Sequence, residues 1–179
     1  EVRLLFKTYN AKATFFTTGS HCNDQFKSQV DSLLSDGHEI ANHSMMDWSY
    51  ASYTKEEFLL DFNKTNAILN QYTDRIPPWY RAPFGRLSKT MQKVLDDKGI
   101  THVVCDAFAN DTAIPDAKWI SEFILDTVKP GSIVLIHMPE KGVREWNLEA
   151  IRLTLEGLAD KGLEVVTISD IYKQSQLLD

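Results

Sequence analysis

The sequence has 179 residues, of which 43% are hydrophobic and 25% charged, with only 8 Gly and 6 Pro and no repeat or low-complexity run. This length and composition indicate one globular domain over residues 1–179 and exclude a disordered or fibrous chain. The net charge of −6, with scattered Lys and Arg, argues against a nucleic-acid partner, and the longest apolar runs, such as Ser132 to Ile136, are far shorter than the roughly 20 residues that span a bilayer.

Hydrophobic periodicity predicts helices and strands that alternate from the start of the chain. Glu1 to Tyr9 has the apolar spacing of a helix that stops at Asn10, and Lys12 to Gly19 has the pattern of a strand. A short helix from Gln29 to Gly37 and a strand from His38 to His43 follow. The chain thus begins with a helix and repeats a strand-helix unit.

The clearest helix is predicted from Thr54 to Tyr72, where Thr54 and Glu57 form a capping-box pattern ahead of apolar residues at helical spacing. The same alternation continues to the end of the chain. The remaining predicted elements are a helix from Ser88 to Gly99, a strand from Thr101 to Phe108, a helix from Asp116 to Val128, a strand from Ser132 to His137, a helix from Asn147 to Gly162 and a strand from Glu164 to Ser169.

This alternation predicts an α/β fold whose parallel strands are joined by right-handed crossovers, as an open sheet or a barrel. In both architectures functional residues collect at the carboxyl ends of the strands. Reactive side chains follow several of the predicted strands: His43, Asp47, Arg81, Asp111 and His137. Each alone fits an ordinary structural role, but their shared position predicts a common site.

Four short motifs in chain order carry a resemblance to a known family. They are KATFF from Lys12, GHEIANHS from Gly37, RAPFG from Arg81 and IVLIH from Ile133. Together they resemble the polysaccharide deacetylases of carbohydrate esterase family four, which include chitin deacetylases and peptidoglycan N-acetylglucosamine deacetylases. The resemblance covers nearly the whole chain and implies one such domain, folded as a distorted (β/α) barrel with fewer than eight units.

The resemblance also implies a chemistry, the metal-assisted hydrolysis of an N-acetyl amide. By this resemblance His43 is a metal ligand and His137 is the general acid. Asp111 orients His137 and stabilises its imidazolium, and Arg81 holds the carboxylate of the catalytic base. The backbone N–H near Phe84 helps to bind the developing oxyanion.

The implied partner is a glycan that contains N-acetylglucosamine, of the chitin or peptidoglycan type, and the implied cofactor is a divalent metal, zinc first, with cobalt or manganese as alternatives. We expect Phe84, Tyr80, Leu135 and Trp146 to contact the substrate, with Leu135 and Trp146 lining the pocket for the acetyl methyl group. The family implies an extracellular or cell-wall location, although no signal peptide is visible in the sequence. We expect a monomer.

Asp47 lies four residues after His43, at the position of the family's second metal-binding His. A carboxylate ligates Zn²⁺ at a similar distance to imidazole, and branches of the family with Asp at this position favour a ligand role. The added negative charge shifts preference toward harder ions such as Mn²⁺. Two alternatives stay open at this point: Asp47 caps a helix that starts near Trp48, or it simply faces water.

The chain departs from the family at two motifs. The first motif, a Thr-Phe-Asp-Asp-Gly strand end that supplies the base and a metal-binding Asp, does not occur in the sequence. We therefore expect either residues ahead of Glu1 or a sheet left open between Lys12–Phe16 and Glu164–Ser169. Without this motif, the chain as it stands need not bind the metal. The family's fourth motif, whose acid is matched by Asp111, is also altered. Phe108 and Thr112 stand where the family often has Asp and Trp.

Two further function classes remain as alternatives. One is a catalytically degraded relative that binds carbohydrate or serves a structural role, and the other is an amidase for small molecules. Cys22 and Cys105 suit buried thiols as well as one disulfide, and the three Asn-x-Ser/Thr sequons at Asn42, Asn63 and Asn110 are short enough to occur by chance.

Overall fold

The structure is a computed structural model that describes residues 1–177, so the end of the predicted domain, residues 178–179, lies outside the described residues. The chain forms two compact units. The central unit comprises Thr14–Val104, and the terminal unit comprises Glu1–Ala13 together with the chain from Cys105 onward. Each unit is described separately.

The central unit alternates strands and helices. Its elements are β1 (Thr14–Thr17), α2 (Lys27–Ser35), β2 (Glu39–Asn42), α3 (Lys55–Leu69), β3 (Trp79–Tyr80), α4 (Lys89–Asp97) and β4 (Thr101–His102). The four strands form one parallel sheet in the order β1-β2-β3-β4. Asn42 pairs in register with both Thr17 and Tyr80, so the carboxyl ends of β1, β2 and β3 lie at the same edge.

Local sequence signals explain the helices of this unit. The Thr54 side chain accepts a hydrogen bond from the Glu57 backbone N–H, and the Glu57 carboxylate accepts one from the Thr54 backbone N–H, which completes the predicted capping box of α3. Ser88 caps α4 in the same way, through Met91 N–H. The core between α3, α4 and the sheet is aromatic and aliphatic, and its fully buried members include Phe58, Tyr80 and Leu95.

The terminal unit contains a two-stranded sheet and four helices among its described residues. They are α1 (Val2–Thr8), β5 (Ala107–Phe108), α5 (Ala117–Thr127), β6 (Val134–Leu135), α6 (Trp146–Asp160) and α7 (Ile168–Ser175). β5 and β6 pair in parallel, and Phe108 lies in register with Leu135. Helix α6 contributes to two core clusters, one with α1 and one with α5.

Two predicted strands are wrong in detail. The strand predicted from Thr101 to Phe108 is two short strands, because β4 pairs with β3 whereas β5 pairs with β6. The predicted last strand is absent from the described chain, since residues 163–167 are irregular and Thr167 instead caps α7, an unpredicted helix. Lys12 N–H donates to the Val165 carbonyl (2.8 Å), so the two segments expected to border an open sheet share a hydrogen bond.

The strands β1, β2 and β6 fall within predicted ranges, but they are shorter than the apolar runs that predict them. Cys22 and Cys105, both among the described residues, are not joined by a disulfide. None of the helices in the described chain combines the length and the apolar character needed to cross a bilayer.

Candidate active site

His43 follows the last residue of β2 and is oriented by the end of β3. Its Nδ1 lies 2.7 Å from the Arg81 carbonyl oxygen. Because a carbonyl oxygen only accepts, Nδ1 carries the proton and the lone pair of the neutral imidazole is on Nε2. Metal-binding histidines are typically held in this way, with one ring nitrogen bonded to a backbone carbonyl. The structure therefore gives His43 the tautomer that a metal ligand needs.

Asp47 lies in a bend after His43 and is exposed to solvent. The next helix is α3, which begins at Lys55 and is capped by Thr54. Asp47 therefore caps no helix in the part of the chain that the structure describes, and this alternative for its role is removed. Trp48 beside it is also exposed, and its ring centroid lies 6.3 Å from that of Tyr50.

Arg81 and Phe84 belong to the RAPFG turn that follows β3. Arg81 Nη1 donates to the Val103 carbonyl (3.3 Å). Phe84 has a positive φ of 57° and a ring that is 67% exposed, and Gly85 after it has φ 66°. A left-handed conformation at Phe is an outlier of the kind that clusters at functional sites. The roles of Arg81 and Phe84 stay predictions.

Tyr80 has a structural role that corrects its prediction as a substrate contact. Its side chain is fully buried in the core of the central unit. Its hydroxyl shares a 2.7 Å hydrogen bond with the Ser44 hydroxyl. The short strand β3 turns this side chain inward, which the sequence pattern of one Trp-Tyr pair did not reveal.

Asp111 and His137 form a direct pair in the terminal unit. The His137 Nδ1–H donates to Asp111 Oδ1 (2.9 Å), and the His137 backbone N–H donates to Oδ2 (2.7 Å). Asp111 is fully buried, whereas the His137 side chain is 40% exposed. This geometry fixes the ring, places the exchangeable proton position on Nε2 and leaves the side chain accessible to solvent.

The electrostatics of Asp111 favour its ionised form. Burial on its own raises the pKa of the Asp111 carboxyl, but hydrogen bonds from the side chain and backbone of His137, the charge of His137 and a hydrogen bond from Asn147 bring the pKa below its ordinary value of 3.8. An ionised carboxylate facing Nδ1–H stabilises an imidazolium at His137. The pair can therefore hold and deliver a proton at Nε2.

Two residues of α6 support the pair. The fully buried Asn147 donates through Nδ2 to Asp111 Oδ2 (2.6 Å) and to the His137 carbonyl (2.9 Å). The Trp146 indole N–H donates to the Asp111 carbonyl (2.8 Å), and its ring packs on the α5–α6 core cluster. Trp146 thus has a structural contact in addition to its predicted substrate role. Asn147 was not predicted as a site residue, and its one signal in the sequence is that a polar residue stands among the apolar positions that α6 buries.

Leu135 is half-buried in β6, two residues before His137. Its backbone register with Phe108 keeps it in the two-stranded sheet, and the Phe108 ring lies edge-on to the His137 ring with centroids 6.2 Å apart. The predicted methyl pocket at Leu135 stays a prediction.

The donor set for a metal is partial. Within residues 1–177, no three His, Cys, Asp or Glu side chains come together in a group that could hold a metal ion. His43 fits one ligand position by its tautomer. The described residues therefore fit part of a metal centre, and they do not by themselves complete one.

Comparison with known proteins agrees with the motifs. The sequence profile of the polysaccharide deacetylase family matches residues 2–103, and the chain belongs to this family. The family resemblance stated from four motifs is thereby confirmed.

Two curated relatives are peptidoglycan N-acetylglucosamine deacetylases. The chain is 26% identical over 170 residues to one from Bacillus cereus, covering 95% of this chain and 62% of that protein. It is 28% identical over 169 residues to one from Listeria monocytogenes, covering 93% of this chain and 34% of that protein. The chain thus spans between about a third and three fifths of the length of these relatives.

A solved structure of a family 4 acetyl xylan esterase from Clostridium thermocellum in complex with a cobalt ion has the same fold. Its TM-score to this chain is 0.87, with 27% identity, and the match covers 97% of this chain and 82% of the other. The predicted fold class, α/β with parallel strands and the family's distorted barrel, is confirmed.

Proposed function

We propose that this chain serves the metal-dependent hydrolysis of N-acetyl groups on a glycan that contains N-acetylglucosamine. The observation that carries the proposal is the His137 ring, held by a buried Asp111 and accessible to solvent. Membership of the family supports the reaction class. The names of the two curated relatives favour a glycan of the peptidoglycan type over chitin, and a location at the cell wall.

His137 supplies the proton that the reaction needs. Hydrolysis of an amide breaks a C–N bond, and the departing nitrogen takes up a proton as it leaves. The imidazolium of His137 donates that proton from Nε2, while Asp111 stabilises the positive charge through Nδ1–H. Asn147 keeps the carboxylate in place during the transfer.

The metal-related roles belong to the central unit. His43 and Asp47 would contribute ligands, Arg81 would position the base carboxylate, and the turn at Phe84 would present a backbone N–H to the oxyanion. When bound, a divalent ion polarises the acetyl carbonyl and acidifies a water molecule. We propose zinc, with cobalt or manganese as alternatives. Because the first family motif does not occur in the sequence, no residue is assigned to the base.

The test is acetate release by the full natural chain, supplied with Zn²⁺, Co²⁺ or Mn²⁺, from chitooligosaccharides and from N-acetylated peptidoglycan fragments. His137→Gln is expected to lower the rate by about 10²- to 10⁴-fold, the usual contribution of a general acid, without loss of glycan binding. The matched control is His21→Gln, because His21 is an exposed histidine outside the pair.

Three results would contradict the proposal. Equal activity of His137→Gln and the unchanged protein would remove His137 as the acid. Glycan binding without acetate release under any of the metals would favour the carbohydrate-binding alternative. Hydrolysis of small amides but not of glycans would favour the amidase alternative.

A further inference from the structure

The segment between His43 and Asp47 converges on one carboxylate that the proposed chemistry does not use. This is Asp61 of α3, whose Oδ1 accepts a hydrogen bond from the Met45 backbone N–H (3.1 Å). The Tyr50 and Ser44 hydroxyls also favour the ionised form of Asp61. One half-buried side chain thus accepts a backbone hydrogen bond from the segment that carries both candidate ligands, and two hydroxyls, one in that segment and one three residues after it, favour its charge.

The same segment has further hydrogen bonds close to Asp61. The Tyr50 hydroxyl oxygen accepts from the Met46 backbone N–H (3.0 Å), which leaves its own proton for another acceptor. The Ser44 hydroxyl shares a 2.7 Å hydrogen bond with the Tyr80 hydroxyl, in which either oxygen can donate. A carboxylate can accept from several donors at once, whereas an amide has only one accepting atom.

The segment needs such an anchor because its backbone is irregular. Residues 43–50 form neither helix nor strand, and Ser44 has a positive φ of 63°, which is strained for a residue other than glycine. Ser44 and Tyr50 are fully buried, so an unpartnered hydroxyl there would be costly. Burial raises the pKa of the Asp61 carboxyl, and the hydrogen bonds from Tyr50, Met45 and Ser44 oppose that rise.

We propose that Asp61 is a positioning residue that sets the conformation of residues 44–46 and thereby the spacing and orientation of His43 and Asp47. The metal part of this inference rests on the proposed function, in which His43 and Asp47 are ligands. The conformational part rests only on the contacts of Asp61 and is tested separately.

The experiment compares Asp61→Asn with Asp47→Asn in the full natural chain. Hydrogen exchange of the Met45 and Met46 amides measures how firmly the segment is held in its conformation. Calorimetric titration with Co²⁺ alone measures the metal affinity that depends on His43 and Asp47. Asp61→Asn is expected to speed exchange of both amides about tenfold and to weaken Co²⁺ binding about 10- to 100-fold, as for other residues that orient ligands. Asp47→Asn is expected to weaken Co²⁺ binding and leave both amides unchanged.

Two controls separate positioning from general destabilisation. The amides of Val94 and Leu95 in α4 are buried in the same unit and should exchange at their original rates in Asp61→Asn. Asp31→Asn removes an exposed helix carboxylate that pairs with Lys27 and should change neither readout. Tyr50→Phe is the second variant, for the case in which Asp61→Asn does not fold. It removes the hydroxyl that accepts from the Met46 N–H, so hydrogen exchange of the Met46 amide should be faster.

The outcomes distinguish the two claims. Unchanged Met45 and Met46 exchange in Asp61→Asn, or equal acceleration at Val94 and Leu95, overturns the positioning role. No Co²⁺ binding by the unchanged protein, with exchange accelerated in Asp61→Asn, keeps the positioning role and removes the ligand assignment of His43 and Asp47.

Discussion

At the scale of single residues, Asn147 is a buried amide with a large expected contribution to stability. It donates to Asp111 and to the His137 carbonyl. Asn147→Leu has similar volume but no donor, so Asp111 loses a hydrogen bond while it stays buried. We expect the free energy of unfolding to fall by about 1–3 kcal/mol in urea denaturation. Asn63→Leu, at an exposed position of α3, should change it by less than about 0.5 kcal/mol, and equal losses would refute the role of Asn147.

Asp111 should also leave a signature in the dependence of stability on pH. Its pKa is lower in the folded protein than its ordinary value of 3.8. Its contribution is therefore complete above the unfolded pKa, and it is lost as pH falls from about 5 through the folded pKa. Acid denaturation should show that the stability difference between the unchanged protein and Asp111→Asn shrinks as pH falls through this window. A difference that is constant with pH would show that the pKa of Asp111 is not lowered.

The same residues show how far the site can be predicted from sequence. His43, Arg81, Asp111 and His137 follow strands, and the structure places Asp111 against His137, the pairing that the family resemblance implies, and His43 against the Arg81 carbonyl, which was not predicted. The residues that hold these groups could not be predicted in the same way. Asp61 comes from the middle of α3 and acts through contacts 16 residues away in sequence. Such partners become evident only when helix packing is known.

At the scale of elements, Gly157 permits close packing of α6 on α5. A Cβ at Gly157 would collide with Leu125 Cδ1 and lie 2.9 Å from Cδ2. Gly157→Ala gains roughly 0.5–1 kcal/mol of helix propensity but adds a clash that typically costs about 1–3 kcal/mol. We expect a net loss of about 1 kcal/mol in the free energy of unfolding, measured by chemical denaturation.

Leu125→Ala provides the control for this packing argument. In that background the clash is gone, so Gly157→Ala should stabilise α6 by roughly 0.5–1 kcal/mol. The sign of the Gly157→Ala effect should therefore reverse between the two backgrounds. The same sign in both would mean that Leu125 does not set the tolerance at Gly157.

Elements with local signals are predicted well, and those without them are not. Helices α3 and α4 begin at the predicted caps, Thr54 and Ser88. The strand predicted over Thr101–Phe108 divides because its two ends pair with different strands, and long-range pairing leaves no local pattern. Helix α7 was missed because its cap, Thr167, lies within an apolar run that reads equally well as a strand.

At the scale of the whole molecule, the net charge predicts how the binding of substrate and product depends on ionic strength. The proposed reaction converts a neutral amide into an amine that is protonated at slightly acidic pH, and the protein carries a net charge of −6. Attraction to the product is electrostatic, whereas the substrate is neutral, so only product binding should depend on ionic strength. Each kT of surface potential changes the affinity for one product charge by about threefold.

Calorimetry at about 0.01 M and about 1 M ionic strength, where the Debye length falls from about 30 Å to about 3 Å, tests this difference. The affinity for a deacetylated N-acetylglucosamine oligomer should fall several-fold per charge, whereas that for the acetylated oligomer should stay nearly constant. Product inhibition of the proposed deacetylase should accordingly be relieved by salt. Equal salt dependence for both oligomers would mean that the acidic charge lies too far from the glycan to affect its binding. Product binding that does not change with salt would show that the net charge does not contribute to the affinity for the product.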